Sequence, residues 1–171
     1  MRRVVVTGIG TINSTGHNVK DSFKAVVDGV CGIDTITLFD ASEFSVKIAG
    51  EVKDFDPTTV MDKKEVKKAD RFIQLGIKAA LEAMIDSGYV TQENKKVDAS
   101  IADRFGMISG SGIGGLSTIE RNSVVCETKG SRKVSPFFIP SSLANMLSGF
   151  ISIEHNLRGP SLAHVTACAA S

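Results

Sequence analysis

The chain carries a candidate nucleophile in the small-residue stretch Val165-Thr166-Ala167-Cys168-Ala169-Ala170-Ser171. A cysteine among alanines is more often a small buried hydrophobic residue than a catalyst. Here a predicted strand precedes Cys168, and residues that favour a helix start or a crowded backbone follow it. A thiol at such a turn faces the positive end of a helix dipole, which stabilises the thiolate, and nearby N–H groups can bind an oxyanion. From these residues alone, packing and catalysis are about equally supported.

No histidine is well placed to act as a base for Cys168. His164 shares a face of the predicted strand with it, but four extended residues separate them by roughly 13 Å. Direct proton transfer over that distance is excluded, so His164 is interpreted as an ordinary strand residue. His17 and His155 fall in predicted turns and are expected to be solvated.

A glycine-rich loop at Gly110–Gly115 matches the spacing GxGxxG and lies between a predicted strand and a predicted helix. A dinucleotide site also needs an acidic residue about 20 positions further on. No Asp or Glu lies between Glu127 and Glu154, and Glu127 falls in the predicted helix. An earlier glycine loop, at residues 8–16, does not match GxGxxG because Asn13 stands in place of the third glycine. Two interpretations remain open: a tight turn that needs glycine for backbone reasons, and the lining of an acyl pocket, with Ile113 as the only bulky side chain.

Composition narrows the functional classes. The 171 residues are 42% hydrophobic and 23% charged, as expected of a globular domain with its own core. The net charge of +1 argues against an electrostatic nucleic-acid binder. Three scattered cysteines, without a CxxC pair or a Cys/His cluster, favour neither disulfides nor a zinc site. Cys31 and Cys126 lack the setting of Cys168 and are predicted to be packing or surface residues.

The apolar run at the amino terminus, Val4-Val5-Val6, is too short for the core of a signal peptide. No stretch approaches the roughly 18 apolar residues of a membrane span. Together with the cysteine pattern, this predicts a soluble, cytoplasmic protein that does not associate with membranes.

Apolar periodicity, caps and glycines predict alternating strands and helices. Asn18, with Asp21 three residues later, predicts a helix start, and Gly29 predicts its end. The apolar stripe of this helix comprises Val19, Phe23, Val26, Val27 and Val30. The predicted strands are 2–7, 46–52, 104–109 and 162–167, and the other predicted helices are 64–87, 116–127 and one capped by Ser142. Such alternation is typical of α/β proteins with helices against a mainly parallel sheet.

Several segments, none specific alone, occur in the order found in one enzyme family. These segments are Arg3-Val4-Val5-Val6-Thr7-Gly8, Gly110–Gly115, Ser135-Pro136-Phe137-Phe138-Ile139-Pro140, Asn145-Met146, Arg158-Gly159-Pro160-Ser161 and Thr166-Ala167-Cys168. On their joint occurrence the chain resembles the β-ketoacyl-[acyl-carrier-protein] synthases, most closely those of the synthase II type. They span essentially its whole length.

The resemblance implies a thiolase-like fold with a layered α-β-α-β-α architecture, of which residues 1–171 form the amino-terminal half, and a homodimer. It implies that Cys168 accepts an acyl group from acyl carrier protein. Malonyl-carrier protein is then decarboxylated, and the resulting carbanion attacks the acyl thioester in fatty-acid elongation. No cofactor and no metal ion are implied.

By position, the resemblance assigns Ile113 and Phe138 to the acyl pocket. It also assigns a carrier-protein-binding surface to four lysines, Lys63, Lys64, Lys67 and Lys68. Without the resemblance, these lysines are interpreted as an ordinary solvated helix face.

Relative to the family the chain is short, ending just after Cys168. The resemblance places the two catalytic histidines and a second oxyanion donor in the half that follows. We therefore expect the chain alone to be inactive in the decarboxylating condensation, and poorly soluble or oligomeric. Two alternatives remain: a non-catalytic remnant that binds carrier protein, and, remotely, a nucleotide-binding module.

Overall fold

A computed structural model describes residues 3–170 and has an α/β architecture. The helices in the described residues are α1 (Val19–Val27), α2 (Lys63–Val66), α3 (Arg71–Asp86), α4 (Leu116–Lys129), α5 (Phe138–Ser142) and α6 (Met146–His155). The strands are β1 (Asp34–Thr35), β2 (Ile48–Ala49), β3 (Met107–Gly110) and β4 (Ser161–His164). Short 3₁₀ turns occur at Pro57–Thr59, Ala102–Arg104, Ser131–Lys133 and Ala167–Ala170.

The chain divides into two compact units. The first contains the described residues up to Asp56 together with Lys78–Gly88, and the second contains Pro57–Ile77 and the residues from Tyr89 onward. Within residues 3–170, every helix is too short or too polar to cross a membrane.

Helix α1 of the first unit begins and ends where the sequence predicts. The side chain of Asn18 accepts a hydrogen bond of 2.8 Å from the amide of Asp21, which satisfies a helix N-terminal donor. The chain leaves the helix through Gly29, at φ 70°. The apolar stripe, however, lies mostly in solvent: Phe23, Val26 and Val27 are each 68% exposed. Ser22 and Ala25 form the buried side instead.

The strand predicted at 2–7 is absent from its described part, residues 3–7. Arg2 lies outside the described residues. Val4 is 96% exposed, and none of the strand pairings within residues 3–170 involves this segment.

The chain is held to the carboxyl-terminal turns of α3 just after this segment. The amide of Ile9 donates to Asp86 at 2.9 Å, and Glu82 accepts from the amides of Thr11 (3.1 Å) and Val19 (2.8 Å). One carboxylate thus holds both the amide of Thr11 and the first amide of α1.

The predicted strand 46–52 exists in a shorter form, as β2, which pairs antiparallel with β1. Glu51 follows it and is buried. Its carboxylate accepts hydrogen bonds from the hydroxyl of Thr37 (2.7 Å), the amide of Thr37 (3.0 Å) and the amide of Leu38 (3.1 Å). The Thr37 hydroxyl, followed by the Thr37 amide, lowers the pKa of Glu51 below its ordinary value of 4.5.

The predicted helix 64–87 is broken into α2 and α3. Asp70 causes the break because it acts as an N-cap: its side chain accepts from the amide of Phe72 at 3.3 Å. The same carboxylate accepts from the amide and the hydroxyl of Thr118 on α4, at 2.9 and 2.6 Å. Gln74 bonds the carbonyls of Val66 and Ala69 at the end of α2. Gly88 follows α3 at φ 78°, as the predicted stop requires.

Strands β3 and β4 pair in parallel, with Met107 opposite Ser161 and Gly110 opposite His164. Both are shorter than predicted, and α6 packs on them. Helix α4 confirms the prediction over 116–127. The prediction that Ser142 caps a helix is wrong, because Ser142 is the last residue of α5 and the next helix, α6, begins at Met146.

The prediction of a solvated His155 is also wrong. His155 is the last residue of α6 and is fully buried. Its Nδ1 lies 2.7 Å from the carbonyl oxygen of Lys95, which can only accept, so Nδ1 donates. The helix extends this far because Asn156 takes the left-handed conformation, at φ 58°, and only then ends it.

The hydrogen bonds at Glu51 predict how the stability of the first unit depends on pH. A lowered pKa in the folded state means that ionised Glu51 stabilises the fold above pH 4.5, and that this contribution is lost as the pH falls through the lowered pKa. Glu51→Gln should therefore reduce the urea midpoint at neutral pH but not at acid pH. The matched control, Glu43→Gln at an exposed position, should change neither. A pH-independent effect of Glu51→Gln would contradict this account.

Candidate active site

Cys168 lies in the 3₁₀ turn Ala167–Ala170, four residues after the end of β4, and its side chain is exposed. The amide of Ala169 donates to the carbonyl of Thr166 at 3.1 Å, which closes the turn. Ala167 has φ 51°, a left-handed conformation that costs an L-residue about 1–2 kcal/mol. The predicted strand-to-helix turn is thus present as a four-residue turn, with strained backbone directly before the thiol.

The parallel register of β3 and β4 brings this turn next to the glycine loop. Parallel strands end at the same edge of a sheet, so the segments after Gly110 and after His164 leave it together. The amide of Ser111 continues the ladder by donating to the carbonyl of His164 at 3.0 Å. His164 is therefore a strand residue, as predicted.

Glycine is required at position 110 because the Cys168 turn lies directly against it. A Cβ placed on Gly110 would lie 1.6 Å from the carbonyl oxygen of Ala170, far inside van der Waals contact. At Gly112 the same test finds the oxygen of Ala167 at 3.9 Å, an ordinary contact. The loop and the turn thus pack backbone to backbone, which supports the interpretation that the glycines serve the backbone.

The far side of the glycine loop packs on the end of α5. Gly114 has φ 90°, and a Cβ there would lie 2.6 Å from the carbonyl oxygen of Ser142. That oxygen accepts a 2.9 Å hydrogen bond from the amide of Gly115. Phe138, half-buried, begins α5, and Ile113, 64% exposed, lies between the two contact regions of the loop. The glycine loop therefore carries Ile113 and packs against both the turn that carries Cys168 and the helix that carries Phe138.

The four candidate lysines lie on α2 or directly after it, in different surroundings. Lys63 and Lys64 are exposed on α2, where they line a hollow of about 480 Å³ together with Asp62 and Glu65. Lys68 makes an ion pair of 2.5 Å with Glu65 and lies 5.6 Å from the ring centre of Phe137.

Lys67 instead lines a cleft of about 600 Å³ in the second unit. Three further cations contribute to its walls, Arg71, Arg121 and Lys133. The carboxylate of Asp70, also at this cleft, is bound to Thr118. Arg71, Arg121 and Lys133 were not among the predicted site residues. The basic loop before Pro136 was a signal for Lys133, but no sequence signal joins Arg71 and Arg121 to it.

The fold is similar to that of solved structures of other proteins. It matches the ishigamide ketosynthase/chain length factor with a TM-score of 0.76 and 28% sequence identity, over 97% of this chain and 40% of that chain. The architecture is therefore the thiolase-like α/β fold of ketosynthases, and the chain corresponds to its amino-terminal half.

Sequence relatives define the family. The profile described as "Beta-ketoacyl synthase, N-terminal domain" matches residues 1–171. The 3-oxoacyl-[acyl-carrier-protein] synthase 2 of Vibrio harveyi is 50% identical over 168 residues, and that of Coxiella burnetii is 46% identical over 167. Each alignment covers 98% of this chain and 39% of the relative. The chain belongs to the β-ketoacyl synthase family and spans about two fifths of the length of these relatives.

The backbone contact at Gly110 predicts different outcomes for two neighbouring substitutions. Gly110→Ala should displace the turn that carries Cys168, lower the melting temperature and change the rate of Cys168 alkylation by iodoacetamide several-fold. Gly112→Ala places its methyl group at ordinary contact distance, so both quantities should stay near those of the unsubstituted protein. If the two variants behaved alike, the proposed packing of loop on turn would be wrong.

Proposed function

We propose that this chain provides the nucleophile of a decarboxylating condensing enzyme of fatty-acid elongation, with Cys168 as the acyl acceptor. The observation that carries the proposal is the exposed thiol of Cys168 in a strained turn against the loop that holds Ile113. Membership of the β-ketoacyl synthase family supports it, as do the names of the two relatives.

In the first half-reaction, the thiolate of Cys168 attacks the carbonyl carbon of an acyl thioester on acyl carrier protein. A new C–S bond forms to Cys168, the C–S bond to the carrier breaks, and the carrier leaves as a thiolate. Backbone N–H groups of the turn would stabilise the intermediate oxyanion. Ile113 and Phe138 would border the acyl chain, since both lie on segments packed against the glycine loop.

In the second half-reaction, malonyl-carrier protein loses CO₂, and the carbanion that remains attacks the carbonyl of the Cys168 thioester. A C–C bond forms, and Cys168 leaves as the thiolate. The groups that promote decarboxylation are proposed to lie in the part of the family fold that has no counterpart in these residues, because the chain matches only 39% of its relatives' length.

Acyl carrier protein is the proposed partner, and the cationic cleft beside Lys67 is its favoured contact surface. Lys67, Arg121 and Lys133 come from different elements but line one cleft, a suitable surface for an acidic partner. Lys63 and Lys64 line the hollow of about 480 Å³, where Asp62 and Glu65 offset their positive charge. Cytoplasmic location and homodimer formation complete the proposal.

Acyl transfer predicts a mass increase on one cysteine. After incubation with acyl carrier protein loaded with a saturated acyl chain, intact-mass spectrometry should show one acyl group, which peptide mapping should assign to Cys168. Cys168→Ala should abolish the adduct. Cys126→Ala, the matched control at another exposed cysteine, should retain it. Binding of carrier protein without acylation would overturn the catalytic role and identify a non-catalytic carrier-binding protein.

The cleft predicts which cations matter for carrier binding. Lys67→Glu and Lys133→Glu should each raise the Kd for acyl carrier protein roughly three- to tenfold, and the effect should shrink at high salt. Fluorescence anisotropy of labelled carrier protein measures both. Lys63→Glu, which makes the same charge change beside Asp62 and Glu65, should have a smaller effect. An equal loss in all three variants would contradict the assignment of the cleft.

A further inference from the structure

Two buried serines connect the sheet to helix α6 in the second unit. Ser148 of α6 is 1% exposed and Ser109 of β3 is 6% exposed. Their hydroxyl oxygens lie 2.6 Å apart, and the hydroxyl of Ser148 donates to the carbonyl oxygen of Leu162 in β4 at 2.8 Å. Because Ser148 uses its only proton on Leu162, Ser109 must donate to Ser148. We call this three-residue chain the serine bridge.

The serine bridge is directional, which ordinary apolar packing is not. Alanine at either position would fill nearly the same volume without a buried hydroxyl, and a buried hydroxyl is tolerated only where it is hydrogen-bonded. Here each hydroxyl is bonded, so the bridge holds β3, α6 and β4 at one fixed spacing. Leu162 also pairs with Ile108 in the β3–β4 ladder, so the bridge acts on the same register that the ladder sets.

Two members of the serine bridge connect directly to the candidate active site. Ser109 immediately precedes Gly110, whose backbone lies against the Cys168 turn, and Leu162 belongs to the strand that leads into this turn. A shift of either strand along α6 would move the glycine loop relative to the thiol. The contact is tight enough at Gly110 that even a small shift changes it.

We infer that Ser148 is a positioning residue for Cys168. Its bridge to Ser109 and to Leu162 holds the thiol in the position, relative to the glycine loop, in which it reacts. The inference rests on the proposed function of Cys168. It adds a residue on α6 that sets the reactivity of the nucleophile through two hydrogen bonds.

The test uses a background in which Cys31 and Cys126 are replaced by serine, so that Cys168 is the one remaining cysteine. The rate constant for alkylation by iodoacetamide is measured between about pH 6 and 9, well below the melting temperature of every variant. Ser148→Ala leaves the hydroxyl of Ser109 and the carbonyl of Leu162 without this partner, and should lower the rate constant roughly three- to tenfold or shift its pH profile. Ser109→Ala keeps the Ser148–Leu162 bond and should have less effect.

Ser152→Ala is the matched control, since it makes the same change on the same helix at a half-buried position outside the bridge. A double variant, Ser109→Ala with Ser148→Ala, should be no slower than Ser148→Ala alone, because the buried hydroxyl of Ser109 is then gone too. If Ser148→Ala lowers only the melting temperature and leaves the pH–rate profile unchanged, the bridge is merely structural and the inference is wrong. Iodoacetamide needs no carrier protein, so this result is independent of whether acyl transfer occurs.

Discussion

The parallel pairing of β3 with β4 is the constraint on which the candidate site depends. It places the end of each strand at one edge, where the backbone of Gly110 lies against that of Ala170. The contact between Gly110 and Ala170 fixes where the glycine loop begins. Helix α5 packs on the opposite side of the loop, and Ile113 lies between these two contacts. No side chain makes the central contact, so backbone geometry builds the site.

Local signals were sufficient to predict part of this arrangement. The Asn18 cap, the stops at Gly29 and Gly88, and helix α4 depend on contacts within a few residues, which the sequence displays directly. The turn at Cys168 was predicted from small residues after an apolar run, and it exists as a 3₁₀ turn. The glycine loop itself suggested Ile113, but Phe138 came only from the family resemblance, because nothing in the spacing of these residues indicates that the loop packs against α5.

Contacts between distant residues account for the predictions that failed. The break between α2 and α3 is fixed by Asp70, which caps α3 and also binds Thr118 of α4. His155 is buried because the carbonyl of Lys95 accepts its ring proton. The apolar side of α1 has helical spacing but little protein over it. For α1, periodicity correctly reports which side chains share a face, but it carries no information on what lies opposite that face.

The separation of β3 and β4 along the chain has a consequence for biogenesis. Residues 107–110 find their partner only when residues 161–164 have been made, with α4, α5 and α6 in between. At ribosomal rates of about 5–20 residues per second, β3 waits roughly 3 to 10 seconds for that partner. During this interval the hydrogen-bonding edge of β3 and the glycine loop are open to other chains. The spacing that sets up the thiol therefore also defines a window in which the nascent protein is vulnerable to misassembly.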